Sequence, residues 1–182
     1  QDKKGRAIDI VKRVQGTGEK LIEDFMIAAN ETVATHISNM DLPFIYRVHD
    51  LPNAEKIEDF CNLIKQLGYQ VHTNLNKITP VTMQKLLDEF RDKDEFVILS
   101  DMLLRSMKKA IYSTNNIGHF GLASKNYTHF TSPIRRFPDL TVHRLLRTYL
   151  FENRIDLETI NFNAKYLIDV AEHSSETEVN SI

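Results

Sequence analysis

Tyr127-Thr-His-Phe-Thr-Ser-Pro-Ile-Arg-Arg-Phe-Pro-Asp139 gathers hydroxyls, two adjacent guanidiniums, two prolines and three aromatic rings into thirteen residues. Ser132-Pro133 reads as a helix cap followed by proline. Phe137-Pro138 then starts again, because a proline disfavours a helical residue before it. The expected outcome is a tight turn feeding a helix from Pro138 to Leu150, with Leu140, His143, Leu146 and Tyr149 or Leu150 on its apolar face. Such a turn points backbone N–H groups and the positive end of the helix outward, where an anion can sit. The hydroxyls of Thr131 and Ser132 add donors, and a guanidinium can hold a phosphate through two parallel hydrogen bonds. Neighbouring arginines on a rigid turn cannot both point the same way. Arg135 is assigned to the ligand and Arg136 to the scaffold or rim; otherwise Arg135 is a solvated side chain or the ion-pair partner of Asp139. Tyr127, Phe130 and Phe137 either stack on bases or join the core.

Working outward, the segment from Met102 to Leu150 carries eight Lys or Arg against one acid, Asp139, for a net charge of +7 inside a chain whose total is −2. Such a concentration points to a polyanion. At 182 residues and 42% hydrophobic content, the chain is long enough for one complete core. One cysteine, Cys61, excludes an internal disulfide framework. That fits a reducing compartment, and the cytoplasm is expected. No apolar run reaches the roughly 18 residues that a membrane span needs. Gln1 is not an initiator, and the sequence stops at Asn180-Ser-Ile182 inside a helical pattern, so a fragment of a longer protein is expected.

The remaining elements follow from periodicity and punctuation. Ile8, Ile10 and Val14 suggest a short strand over Gly5 to Gln15. Leu21, Ile22, Phe25, Met26, Ala28, Ala29, Val33 and Ile37 predict an amphipathic helix from Glu19 to about Ser38. Leu42 to His49 reads as a strand. Asn53 caps a helix with Ile57, Phe60, Cys61, Ile64 and Leu67 inward, ended by Gly68. Thr79-Pro80 opens another on Met83, Leu86, Leu87 and Phe90. A helix is expected from about Asp94 to Tyr112, a strand at His119-Phe-Gly-Leu-Ala123, and a last helix from Leu157 to about Val179. The fold class is α+β, predominantly helical, with a few short strands.

Two further groups bear on chemistry. His119, His129 and His143 match no zinc spacing, and a structural role is the default for each. Glu23 and Asp24 are adjacent on a helix, so only one carboxylate can face a site. Glu23 either accepts from a ribose hydroxyl, assists a metal, or is simply solvated. The acidic run from Asp88 to Glu95 reads as a solvated helix end.

Five stretches, taken in order, resemble one family: Leu21-Ile-Glu-Asp-Phe-Met-Ile-Ala-Ala-Asn30, Phe44-Ile-Tyr-Arg-Val-His-Asp50, Met102-Leu-Leu-Arg-Ser-Met107, Gly118-His-Phe-Gly-Leu-Ala123 and Tyr127 to Asp139. Together they are similar to the C-terminal half of the ribonuclease II / ribonuclease R (RNB) catalytic domain, and most like its bacterial ribonuclease R members. The likeness spans residues 1–182. It implies part of a processive 3′→5′ exoribonuclease that threads single-stranded RNA into a channel and releases nucleoside 5′-monophosphates with Mg²⁺, as a monomer with no membrane partner. It assigns the scissile phosphate to Arg135 and, less directly, the terminal nucleotides to Glu23. Thr131, Ser132, Arg136, Tyr127 and His129 fall in the RNA-binding motif, and Glu178 falls near the RNA path. The family's aspartate cluster and its flanking cold-shock and S1 domains have no counterpart in this sequence. No metal ligand is therefore assigned here, and the 182 residues alone are expected to be inactive. The alternatives are a non-catalytic RNA-binding module, or a helical protein whose basic face meets an acidic partner.

Overall fold

Capping residues and apolar steps divide the chain into six helices and two short strands among the described residues, 14–69 and 78–181 of a computed structural model. The strand expected over Gly5 to Gln15 lies almost wholly outside them. Helix α1 (Thr17–Asn39) begins where the Glu19 carboxylate accepts the Gly16 N–H at 2.9 Å, satisfying a donor that the first turn leaves free. From Asn30 onward it sinks into the core on Ala34 and Ile37. Its first turns do not. Leu21, Ile22 and Phe25 stand exposed, Phe25 at 63%, so the inward face expected of the whole helix is realised only in its second half.

The predicted strand over Leu42 to His49 contracts to β1 (Tyr46–Val48), because only these residues find a ladder partner. That partner is β2 (Ile111–Ser113), antiparallel, with Arg47 opposite Tyr112. Residues 107–112 are therefore not the end of a helix. Helix α4 (Phe96–Ser106) stops at Met107, and Tyr112 is drawn into the sheet, where burial of its ring outweighs local helical preference. The opposite edge of β1 is filled without a third strand. Arg47 donates its N–H to the Tyr127 carbonyl (2.9 Å), and the Thr128 hydroxyl donates to Ile45 (2.7 Å). The 127–131 segment is thereby laid along the sheet.

Two cores result. Helices α2 (Ala54–Gln66), α3 (Pro80–Phe90) and α4 pack on Ile57, Phe60, Ile64, Met83, Leu86, Leu99 and Leu103. Their starts are capped as the sequence predicts: the side chain of Asn53 accepts from Lys56, and that of Thr79 from Thr82, with Pro80 at the first position. The larger core joins the second half of α1, both strands, α5 (Phe137–Leu146) and α6 (Leu157–Asn180) around Phe44, Ile45, Val142, Tyr149 and Leu167. Each fully buried apolar side chain of this size contributes about 1.5–3 kcal/mol.

Residues 119–123 form a 3₁₀ turn (Phe120–Leu122), not a strand, since His119 and Ser124 close on each other through two backbone bonds (2.8 and 3.2 Å). Gly118 enters that turn at φ +80°, and a Cβ there would sit 3.1 Å from the Ser124 carbonyl. Helix α5 is also rotated from expectation. Its buried residues are Pro138, Asp139, Thr141, Val142 and Leu145, while His143 is exposed, stacked on Phe130 at 4.4 Å. A wide π-turn (Arg147–Phe151) then replaces its last turn. The register shift brings Tyr149 inward, where its hydroxyl donates to the Pro43 carbonyl (3.0 Å) and accepts from Asn163 (3.1 Å).

Candidate nucleic-acid interface

Asn30 ties the two walls of a cleft together. It is a polar residue on the inward face of α1, where a hydrophobic one would ordinarily sit, and it is 3% exposed. Its amide nitrogen donates to the Tyr127 hydroxyl at 3.0 Å, and its amide oxygen accepts the Phe130 N–H at 2.9 Å. These bonds hold Tyr127 and Phe130 against the middle of α1, and a cleft of about 310 Å³ lies between the 127–136 segment and the turns of α1 before Asn30. Glu23, Tyr127, His129, Thr131 and Arg136 all line it, with Glu19 and the apolar Ile22 and Met26. Asp24, one residue on, does not. The Glu23 carboxylate accepts from the Gln15 amide at 2.7 Å.

The turn at residues 132–136 is as tight as the two prolines require, with the Ser132 carbonyl accepting both the Arg135 and Arg136 N–H groups (3.2 and 3.1 Å). One backbone donor of that turn is nevertheless already taken. Asp139, in the first helical turn and fully buried, takes the Ser132 N–H at 2.7 Å and binds the Arg136 guanidinium through both its oxygens at 2.8 Å. This carboxylate offsets the positive helix end from within. Arg136, not Arg135, is the partner of Asp139. Arg135 stands exposed on the turn beside a fully exposed Ile134, and its guanidinium makes no hydrogen bond or ion pair among the described residues.

The histidine in the cleft is kept neutral. Burial, reinforced by Arg136 and Arg47, lowers His129 to about 3. Its Nδ1 lies 2.8 Å from the Tyr112 hydroxyl, and burial pushes that phenol up to about 12. His119, also part-buried, is lowered to about 4 and sets its ring edge against Tyr127 at 5.3 Å. Thr131 Oγ1 is sealed from solvent with no hydrogen-bond partner among the described residues, an unmet donor in the cleft wall.

The structure thus gathers Glu23, Tyr127, His129, Thr131 and Arg136 at one cleft. Ser132 and Arg135 stand on the adjoining turn, outside the lining. Glu178 lies elsewhere, on α6, where its two oxygens accept from Arg47 at 2.6 and 3.0 Å. Sequence reading passed over Asn30, Arg47 and Tyr112. Asn30 could have been found as a polar residue in phase with Met26, Val33 and Ile37; Arg47 and Tyr112 left no local signal. Among the described residues no three His, Cys, Asp or Glu lie together as a cluster of metal ligands. Nor is any helix among them long and apolar enough to cross a membrane.

Comparison with known proteins places the sequence and the fold. The profile of the RNB domain matches residues 1–152. Ribonuclease R of Thermotoga maritima is 49% identical over 178 residues, covering 97% of this chain and 25% of that protein. Ribonuclease R 1 of Lactococcus lactis is 44% identical over 181 residues, covering the whole chain and 22% of that protein. A structure of Mycoplasma genitalium RNase R in complex with ribose methylated single-stranded RNA superimposes with a TM-score of 0.83 at 36% identity, over 92% of this chain and 26% of that one. Yeast Ssd1, described as a pseudonuclease, matches with a TM-score of 0.63 at 28% identity, over 87% of this chain and 21% of its own. The fold is the one that ribonuclease R structures have in this region. The chain belongs to the RNB domain family and spans about a quarter of the length of the relatives it matches.

Proposed function

We propose that this chain is the strand-binding and phosphate-positioning part of a cytoplasmic, processive 3′→5′ exoribonuclease that hydrolyses single-stranded RNA to nucleoside 5′-monophosphates. The observation that carries the reading is the cleft of Glu23, His129, Thr131 and Arg136, adjoined by an unpaired guanidinium, Arg135, on a rigid turn. Arg135 is free to close on a nonbridging phosphate oxygen, since Arg136 satisfies the buried carboxylate in its place. Glu23 faces the hydroxyls of a terminal ribose. Thr131 supplies a hydroxyl donor, and Tyr127 and His129 line the path of the strand.

Hydrolysis is Mg²⁺-dependent in this reading, with the ion's ligands supplied from outside the described residues. The test compares two preparations on a short single-stranded RNA with Mg²⁺. The intact protein containing this chain is expected to release mononucleotides from the 3′ end, and the 182-residue chain alone to release none. Robust release by the chain alone would falsify the division of labour. The likeness to a pseudonuclease supports a second reading, a non-catalytic RNA-binding module. Tight binding of RNA by the intact protein, with no release under any divalent cation, would select it.

A further inference from the structure

Behind the cleft runs a chain of contacts that the strand-binding reading leaves unused: Glu178, Arg47, Tyr112 and His129. Arg47 and Tyr112 are directly opposed across the β1–β2 ladder. At that position side chains on one face of an antiparallel pair touch. The Arg47 guanidinium lies 4.6 Å from the centroid of the Tyr112 ring, while two of its nitrogens donate to the Glu178 carboxylate at 2.6 and 3.0 Å. Tyr112 is fixed from its backbone as well, by an N–H bond to the Ser175 hydroxyl at 2.9 Å. Its phenol therefore has little freedom, and the one partner it bonds among the described residues is His129 Nδ1, at 2.8 Å.

A neutral imidazole carries one proton, and the bond made by one ring nitrogen decides which nitrogen has it. If Nδ1 carried the proton, the phenol hydrogen of the buried Tyr112 would lose its acceptor among the described residues. The favoured arrangement is a donating phenol, an accepting Nδ1 and a proton on Nε2. That nitrogen makes no hydrogen bond to the described residues. It is not sealed either: the unpartnered buried side-chain atoms found there are Nε2 of His49 and Oγ1 of Thr131. His129 lines the cleft together with Thr131 and Arg136.

We propose that Tyr112 is a positioning residue that fixes His129 in its Nε2–H tautomer, giving the cleft an uncharged N–H donor for a sugar–phosphate oxygen of the RNA strand. Arg47, clamped by Glu178, sets the Tyr112 ring. Glu178 thus acts on the cleft from α6 without lining it. An uncharged donor next to Arg136 adds direction to the binding without adding charge, so it aligns a strand that must still slide. The inference rests on the strand-binding reading for its ligand, but not for the tautomer.

Two measurements on the full 182-residue chain test it. Nitrogen-15 spectra of the histidine rings at pH 7 are expected to show His129 protonated on Nε2, and in Tyr112→Phe, which keeps the ring over Arg47 and removes the hydroxyl, a mixture of both tautomers. A His129 proton resident on Nδ1 in the wild-type chain overturns the proposal. For binding, the probe is a single-stranded oligoadenylate. Tyr112→Phe and His129→Ala are each expected to weaken it about tenfold, the worth of roughly one hydrogen bond. The double variant should be no weaker than His129→Ala alone. Additive losses would make Tyr112 merely structural and sink the coupling, with melting temperatures separating that case from misfolding. Failure of the wild-type chain to bind the oligonucleotide would defeat the strand-binding reading and the donor's ligand, while the spectra would still decide the tautomer.

Discussion

Arg136 and Asp139 close on each other beside the first turn of α5, with Nε and Nη2 each donating to a different carboxylate oxygen at 2.8 Å. Because the same carboxylate also holds the Ser132 N–H, this pair sets the shape of the turn that carries Arg135. The neighbouring arginines differ in burial for that reason. One is 21% exposed and spoken for; the other is open to solvent.

Asp139→Ala should be among the most damaging substitutions in the chain. It strands a part-buried guanidinium and a backbone N–H at once, and breaking a buried pair in this way costs about 3–5 kcal/mol. Urea unfolding of the variant against the wild-type chain measures it. A loss below about 1 kcal/mol would mean that the pair is not structural.

Arg135→Ala should do the reverse. The side chain is exposed and unpaired, so stability should stay within about 0.5 kcal/mol. If the intact protein is the exoribonuclease proposed above, its hydrolysis should largely disappear, while much of the affinity for long RNA remains through many other phosphate contacts. Turnover assays beside filter binding separate the two, and unchanged turnover would remove Arg135 from the reaction.

Asn30→Leu keeps the shape of a buried side chain but abandons the Phe130 N–H and the Tyr127 hydroxyl. Each group left without a partner costs about 1–3 kcal/mol. Thermal unfolding should show the loss, and hydrogen exchange at the Phe130 amide should accelerate. Continued protection of that amide would show that Asn30 does not hold the segment.

Acid should destabilise the fold through its part-buried imidazoles. His129 and His119 are lowered in the folded chain to about 3 and about 4, against about 6.5 when unfolded. Between those values the unfolded chain binds more protons than the folded one. The stability these groups contribute is therefore complete above about pH 6.5 and is lost as the pH falls toward their folded values. For His129 alone the slope approaches about 1.4 kcal/mol per pH unit within that window. Unfolding free energies at pH 7 and pH 5 should differ less in His129→Gln than in the wild-type chain. Equal differences would refute the burial effect.

What was readable in the sequence lay in local chemistry. Asn53 and Thr79-Pro80 announce helix starts within a residue, because a cap satisfies N–H groups only a turn away. The prolines at 133 and 138 announce the turn and its helix because each fixes its own φ and restricts the residue before it, and the RNB likeness was carried by contiguous motifs. What failed lay in pairing at a distance. Tyr112 continues an apparently helical run, and only β1, more than sixty residues earlier, draws it into a strand. The rotation of α5 goes with Asp139, an acid held inward by the guanidinium of Arg136 and not by that of Arg135.

By itself the sequence determined the helices that cap themselves, the family and the basic segment, all consequences of neighbouring residues acting on one another or of motifs kept in order. The tertiary structure alone decided which of two adjacent arginines stays free, which of two adjacent carboxylates meets the cleft, and that Asn30, Arg47 and Tyr112 stand behind it. Those outcomes depend on burial and on hydrogen bonds between residues up to 131 positions apart, and such pairings exist only once the chain has closed on itself.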